Sequence, residues 1–295
     1  MPPDRIRRLV DRLEPRLRRV VLAALKDLPT GLVDVLTAAV ESQDIRAILA
    51  AIREMPTEEI RRLLLDAING AKGLTGATYG IRFDLVDPFA VQAAERHAAQ
   101  LVTGVTEETR RAIASIVADG IRDRIPPREQ ARQIVRIIGL TERDARAVDS
   151  LWRRMIEDGV VQAQADSRAQ RYADRLLRAR AENIARTETI RASTEGTRQG
   201  WEAAAREGYV DTATARIVWI VTQDDRLCSR CAPMAGVTVG FADKFTATTE
   251  ATGNLSRNKG GTAPYMGATR PLGEHLTVEG PPLHPRCRCS LGLVV

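Results

Sequence analysis

Thiols are absent from the first 227 residues of this 295-residue chain; its four cysteines fall between positions 228 and 289. Aromatic side chains are scarce too, at 4% of the chain. A core must then come from Ala, Leu, Ile and Val, and with abundant Arg that mix favours helices. No apolar run approaches the roughly 20 residues of a membrane-spanning helix. Met1–Leu28 holds seven arginines, and its apolar run Val20–Leu25 is short and flanked by charge, so it does not read as an export signal. A reducing compartment disfavours disulfides. Neither sign of charge dominates: 44 basic and 38 acidic residues leave a net charge of +6. That balance permits an anionic neighbour without requiring one. Catalytic spacings are missing as well, since His97, His275 and His284 fit neither an HExxH zinc site nor a Ser–His–Asp set.

What is present is concentrated. Cys228-Ser-Arg-Cys231 is followed by His284-Pro-Arg-Cys287-Arg-Cys289. Two-residue spacing lets Cys228 and Cys231 reach one ion from a tight turn. The second cluster offers three further donors for an ion that takes four. One structural zinc per chain is expected, held by Cys228, Cys231 and two of His284, Cys287 and Cys289. Two disulfides, with three possible connectivities, rank behind it, and free thiols rank third.

Upstream, the periodicity is helical, and the expected fold class is mainly α: helical N-terminal and central regions, then a small α+β C-terminal subdomain stapled by zinc. Ile6, Leu9, Leu13, Leu17, Val20 and Ala24 form one apolar stripe, with Pro15 expected to start a second helix within it. Helices are expected over 43–53 and 57–68, and a linker over 69–88, where Asn69-Gly70, Gly73, Gly76, Gly80 and Pro88 gather. Further helices are expected over 90–102, from Thr106 to about Asp123, after Pro126-Pro127, over 142–157 and from Val160 to Arg206, the last bent or broken once. The pair flanking Gly139 reads as an ordinary helical hairpin ahead of a DNA-reading helix-turn-helix, because Arg143 and Arg146 alternate with Glu142, Asp144 and Asp149. The period then becomes that of strands, over 215–222, 236–241 and 290–295. Residues 242–283 show little pattern and are expected to be mobile, or to order against a partner.

Several motifs resemble, in order, the Mu F-like minor head protein family of tailed phages, whose shared region is the head-morphogenesis domain. They are Ile184-Ala-Arg-Thr-Glu-Thr189, Ser193-Thr-Glu-Gly-Thr197, Trp219, Thr222-Gln-Asp-Asp-Arg-Leu-Cys228 with Cys231, Ala235-Gly236, and Pro281-Pro-Leu-His-Pro-Arg-Cys-Arg-Cys289. The likeness covers about 139–295 and, more loosely, 84–120. The connection between the cysteine clusters is longer than is usual in the family. Domains are accordingly expected at 1–75 (helical, portal-binding), 76–180 (central helical) and 181–295 (Mu F-like, with the zinc knuckle).

The resemblance implies a non-enzymatic minor capsid protein in the virion, in the capsid interior or at the portal vertex, and in host cytoplasm during assembly. It implies the portal protein as partner, extends to the major capsid protein and packaged DNA, and involves no membrane. Its role would be head assembly and the packaging or delivery of DNA. Within the first motif, Arg186 and Glu188 are expected to brace the zinc subdomain through hydrogen bonds to its backbone. A zinc-dependent hydrolase or nuclease acting during infection is the alternative. It ranks lower because four thiols can close a zinc site that catalysis would need open. A DNA-binding adaptor using the N-terminal arginines ranks third.

Overall fold

The structure, a computed structural model, describes residues 3–42, 44–50, 55–83, 87–222, 231–248, 275–285 and 287–295. Among these, eight α-helices precede a small set of strands. The fold is mainly α, as the composition implied. The helices are α1 (Pro3–Lys26), α2 (Leu32–Glu41), α3 (Ile45–Ala50), α4 (Thr57–Gly76), α5 (Pro88–Arg122), α6 (Pro127–Ile137), α7 (Glu142–Glu157) and α8 (Gln162–Arg206).

Pro15 does not divide α1. A proline removes one backbone donor, and the stripe carries the helix through: Ile6, Leu9, Leu13, Leu17 and Val21 are all buried. Nor do the glycines of 69–76 make a linker; they lie inside α4. A Cβ on Gly70 would sit 2.9 Å from a Leu9 methyl, so this glycine marks close packing of α4 on α1. Likewise α5 is one helix where two were expected, and α8 runs unbroken for 45 residues. The α6–α7 turn does follow the sequence pattern. Gly139 takes φ 80, the left-handed conformation that ends helices, and the Thr141 hydroxyl accepts from the Asp144 N–H to cap α7.

By contacts the chain divides into two compact units, each built from separated segments, and not into three successive spans. The first comprises residues 1–16, 61–97 and 183–295; the second comprises 17–60 and 98–182. In the second, α2 packs on α6 and α3. There the buried Arg180 guanidinium donates to the Gly139 carbonyl and to Glu108.

The first unit carries the strands β1 (Arg216–Ile220), β2 (Thr238–Gly240), β3 (Phe245–Thr248), β4 (His275–Val278) and β5 (Ser290–Val294). β1 lies between β2 and β5, antiparallel to both; Ile217 faces Val239 on one side and Leu293 on the other. β3 and β4 form a second antiparallel pair, with Phe245 opposite Val278. This pair falls in the stretch where the sequence showed little pattern. Phe245 anchors it, fully buried and edge-on to Trp219 with ring centroids 5.2 Å apart. The expectation of mobility remains only for residues 249–274, which lie outside the described residues.

The leucines and Ile6 of the α1 stripe are buried within this chain. Leu9 packs at Gly70 in the first unit, and Leu25 packs at Gly139 in the second.

Candidate metal centre

The site begins at the end of β1. A 3-10 turn, Ala232–Met234, starts directly after Cys231, and the Met234 N–H donates to the Cys231 carbonyl at 3.0 Å. Gly236 (φ 75) then turns the chain back, so that Trp219 and the 236–237 segment exchange backbone hydrogen bonds at 3.0 and 2.8 Å. On the other side of β1, the strand β5 fixes the second cluster at its entrance. The Cys287 N–H donates to the His284 carbonyl at 3.1 Å, closing a tight turn. Thr222 Oγ1 donates to the Arg288 carbonyl at 2.8 Å, tying the two sides together just past β1.

This scaffold brings Cys231, His284 and Cys287 together, with their donor atoms all within 4.8 Å of one another. Cys231 Sγ lies 3.1 Å from His284 Nε2 and 3.8 Å from Cys287 Sγ. The sulfur separation fits a shared ion, since two thiolates about 2.3 Å from one tetrahedral zinc stand roughly 3.8 Å apart. It is far beyond a disulfide bond between Cys231 and Cys287. The histidine is prepared in the same sense. Its Nδ1 lies 2.6 Å from the Pro285 carbonyl, so the proton belongs on Nδ1, and bare Nε2 points at Cys231. The donors therefore fit a soft divalent metal, with zinc the first choice for thiolate and imidazole.

The cysteines belong to the core. Cys231, Cys287 and Cys289 are buried with Trp201, Ile217, Trp219, Met234, Phe245, Leu283 and Leu291; His284 is half-buried. Hydrogen bonds from Cys231 and then Cys289 hold Cys287 far below the usual thiol range. For Cys289 the bond with Cys231 pulls downward, but its bond with Cys287, burial and the Cys287 charge together push it up. A thiolate at Cys287 is thus favoured beside a protonated Cys289. The Trp219 indole N–H is buried without an ordinary hydrogen-bond partner, and it acts on Cys289 as a thiolate-stabilising neighbour.

Of the expected ligands, then, Cys231, His284 and Cys287 converge. Cys289 sits beside them toward Trp219, and Cys228 lies outside the described residues. Arg186 and Glu188 take other partners. Arg186 meets Glu14 at 2.5 Å and Asp11 at 3.4 Å, both on α1. Glu188 accepts two bonds from Arg191, at 2.7 and 2.8 Å, and burial pushes its carboxyl up. The bonds to the C-terminal backbone come instead from the next turns of α8. Thr194 Oγ1 donates to the Pro281 carbonyl at 2.7 Å, and Arg198 donates to the carbonyls of Glu279 (2.8 Å) and Asp243 (3.1 Å).

The rest of the Ser193–Thr197 motif has a packing cause. A Cβ on Gly196 would lie 2.1 Å from the Ile68 carbonyl oxygen, so α4 and α8 touch backbone to backbone there. Ser193 and Thr197, both buried, turn their hydroxyls back onto α8 carbonyls at 2.8 Å. These roles were invisible in the sequence, although the small-residue spacing of Ser193, Gly196 and Gly200 was a usable sign of close helix packing.

Residues 147–292 match the family described as Phage Mu protein F like protein. The match contains the long helix, strands β1 to β4, the start of β5 and both cysteine clusters. No curated protein and no solved structure matches the chain. No helix among the described residues is long and apolar enough to cross a membrane.

Proposed function

We propose that this protein is a non-enzymatic minor capsid component of a tailed phage, acting in head morphogenesis from the portal vertex or capsid interior. It would associate with the portal protein, lie near the major capsid protein and packaged DNA, and assist assembly and the packaging or delivery of DNA. The observation that carries this reading is the family match over 147–292. The metal site supports it. We assign one zinc per chain to Cys228, Cys231, His284 and Cys287, with Cys289 as the adjoining thiol. When bound, such a zinc supplies folding energy and no reacting position, because four protein donors fill its tetrahedron. The group that converges among the described residues is thiol and imidazole only, with no carboxylate in it to act as a base.

Purified virions provide the test. The chain should be present in particles and should co-purify with the portal from procapsids, and hydrolysis of peptide, DNA or cell-wall substrates should be absent. Absence from particles, or zinc-dependent cleavage lost in His284→Ala, would overturn the reading in favour of an infection-stage hydrolase.

A further inference from the structure

Outside the metal centre, the second unit carries an open groove of about 550 Å³ between α7 and α8. Its walls repeat one helical spacing. Ala147, Ser150, Leu151 and Arg154 line it from α7; Arg168, Arg171, Tyr172 and Arg175 line it from α8. Steps of three and four put each set on a single helix face. The groove floor is half-buried and partly apolar, while all four arginines are exposed.

The charge here is uncompensated. Among the described residues none of the four guanidiniums has a carboxylate partner. Arg154 donates to the Ser150 carbonyl at 3.2 Å, Arg171 to Ser167 Oγ at 2.7 Å, and Arg175 lies over the Tyr172 ring at 5.0 Å. Elsewhere in the same unit arginines are neutralised, as in the Arg136–Asp166 and Arg153–Asp149 pairs. The acids of α8 that could have served the groove are committed to other partners: Asp166 to Arg136 and the Trp152 indole, Asp174 to Lys26. Over residues 166–175, α8 thus holds its carboxylates in salt bridges and its arginines along one open face.

We infer that this groove binds the phosphate backbone of duplex DNA. The inference rests on the virion assignment above, which places the chain near packaged DNA. Arg168, Arg171 and Arg175 span about 10 Å along the helix axis at 1.5 Å per residue. Phosphates on one strand of duplex DNA rise about 3.4 Å each, so this row meets about three of them. The recognition inferred is of backbone charge, without sequence preference. The site differs from the DNA-reading arrangement considered for α7. Arg146 there is paired with Glu142 at 2.8 Å, whereas Arg154, one wall of the groove, is not.

The test uses the full-length protein, a fluorescent duplex of mixed sequence, and anisotropy across a salt series. Three neutralised phosphates give a log–log salt slope of about −2.7, a loss of about 40-fold in affinity from 50 to 200 mM salt. Replacing Arg168, Arg171 and Arg175 with Gln keeps good helix formers at exposed positions. It should flatten the slope to near zero or abolish binding, with helicity and zinc content unchanged. An unchanged slope in the triple variant would overturn the inference and move DNA contact elsewhere, the N-terminal arginines included. So would failure of the wild type to bind DNA, or equal competition by polyglutamate, which would mark an acidic-protein site. Because binding is read on purified protein and virion membership on purified particles, the two claims fail separately.

Discussion

Cys231→Ser is the most informative single perturbation of the metal centre. Cys231 is its hub, with His284 Nε2 at 3.1 Å and Cys287 Sγ at 3.8 Å. A serine hydroxyl keeps the size but does not offer the soft thiolate that zinc prefers. Structural zinc sites contribute about 10–16 kcal/mol of apparent binding energy, against about 5–15 kcal/mol of net stability for a whole domain. A unit whose core includes the ligands cannot absorb that loss. Trp201, Trp219, Phe245 and Leu291 pack on the same cysteines, so the strands should unfold with the metal. The second unit, residues 17–60 and 98–182, contains none of these residues and should stay folded. Elemental analysis, amide exchange and limited proteolysis read all three outcomes. The variant should contain no zinc, exchange rapidly across 216–220 and 290–294, and retain protection in α6 and α7. A zinc-free wild type, or a variant as protected as wild type over β1 and β5, would refute the staple.

Phe245→Ala should cost about 3–5 kcal/mol, the usual loss for a buried phenylalanine, with up to about 1.5 kcal/mol more for the edge-on contact with Trp219; chemical denaturation of the first unit would show it. Gly196→Ala places a methyl group 2.1 Å from the Ile68 carbonyl oxygen, so α4 and α8 must separate. The expected cost is about 1–3 kcal/mol or more, and an unshifted unfolding midpoint would show that the helices part freely. His97 is buried with an unpartnered Nδ1, and burial, aided by Arg191 and Arg96, lowers its pKa to about 4. The unfolded chain then binds the extra proton first, so stability is full above about pH 6.5 and falls by about 3 kcal/mol as pH drops to about 4. His97→Gln should flatten that part of the stability–pH curve, and an identical curve would refute the assignment.

The legible parts of this protein were those decided locally. The α7 cap, the Gly139 stop and the strand character of 216–220 follow from residue type and neighbours a few positions away. The donor spacing of Cys231, His284 and Cys287 was legible for the same reason, since two tight turns preset the ligands. Three readings failed because the deciding partner is distant. Gly70 reads as a breaker until Leu9 is seen filling the space where its side chain would be. Pro15 reads as a boundary until burial on both sides holds α1 together. Arg186 reads as a brace for the C-terminal backbone until α1 supplies Glu14 and Asp11, 172 and 175 residues away. Phe245 was legible only as a stray aromatic, because its meaning lies in Trp219.

The placement of Glu14 and β5 in one unit sets a timetable for the chain. Arg186 joins the α1 carboxylates to α8, while the sheet needs β5 as the neighbour of β1. The first unit cannot close until residues 284–294 have been made. At about 5–20 residues per second of synthesis, about 14–55 s separate Glu14 from Cys289. Through that interval Leu9 and Leu13 have no finished core to enter, while every residue of the second unit is already made by position 182. The unit carrying the candidate metal site is therefore the last part of the molecule to become a structure, and a metal would be captured there only at the end.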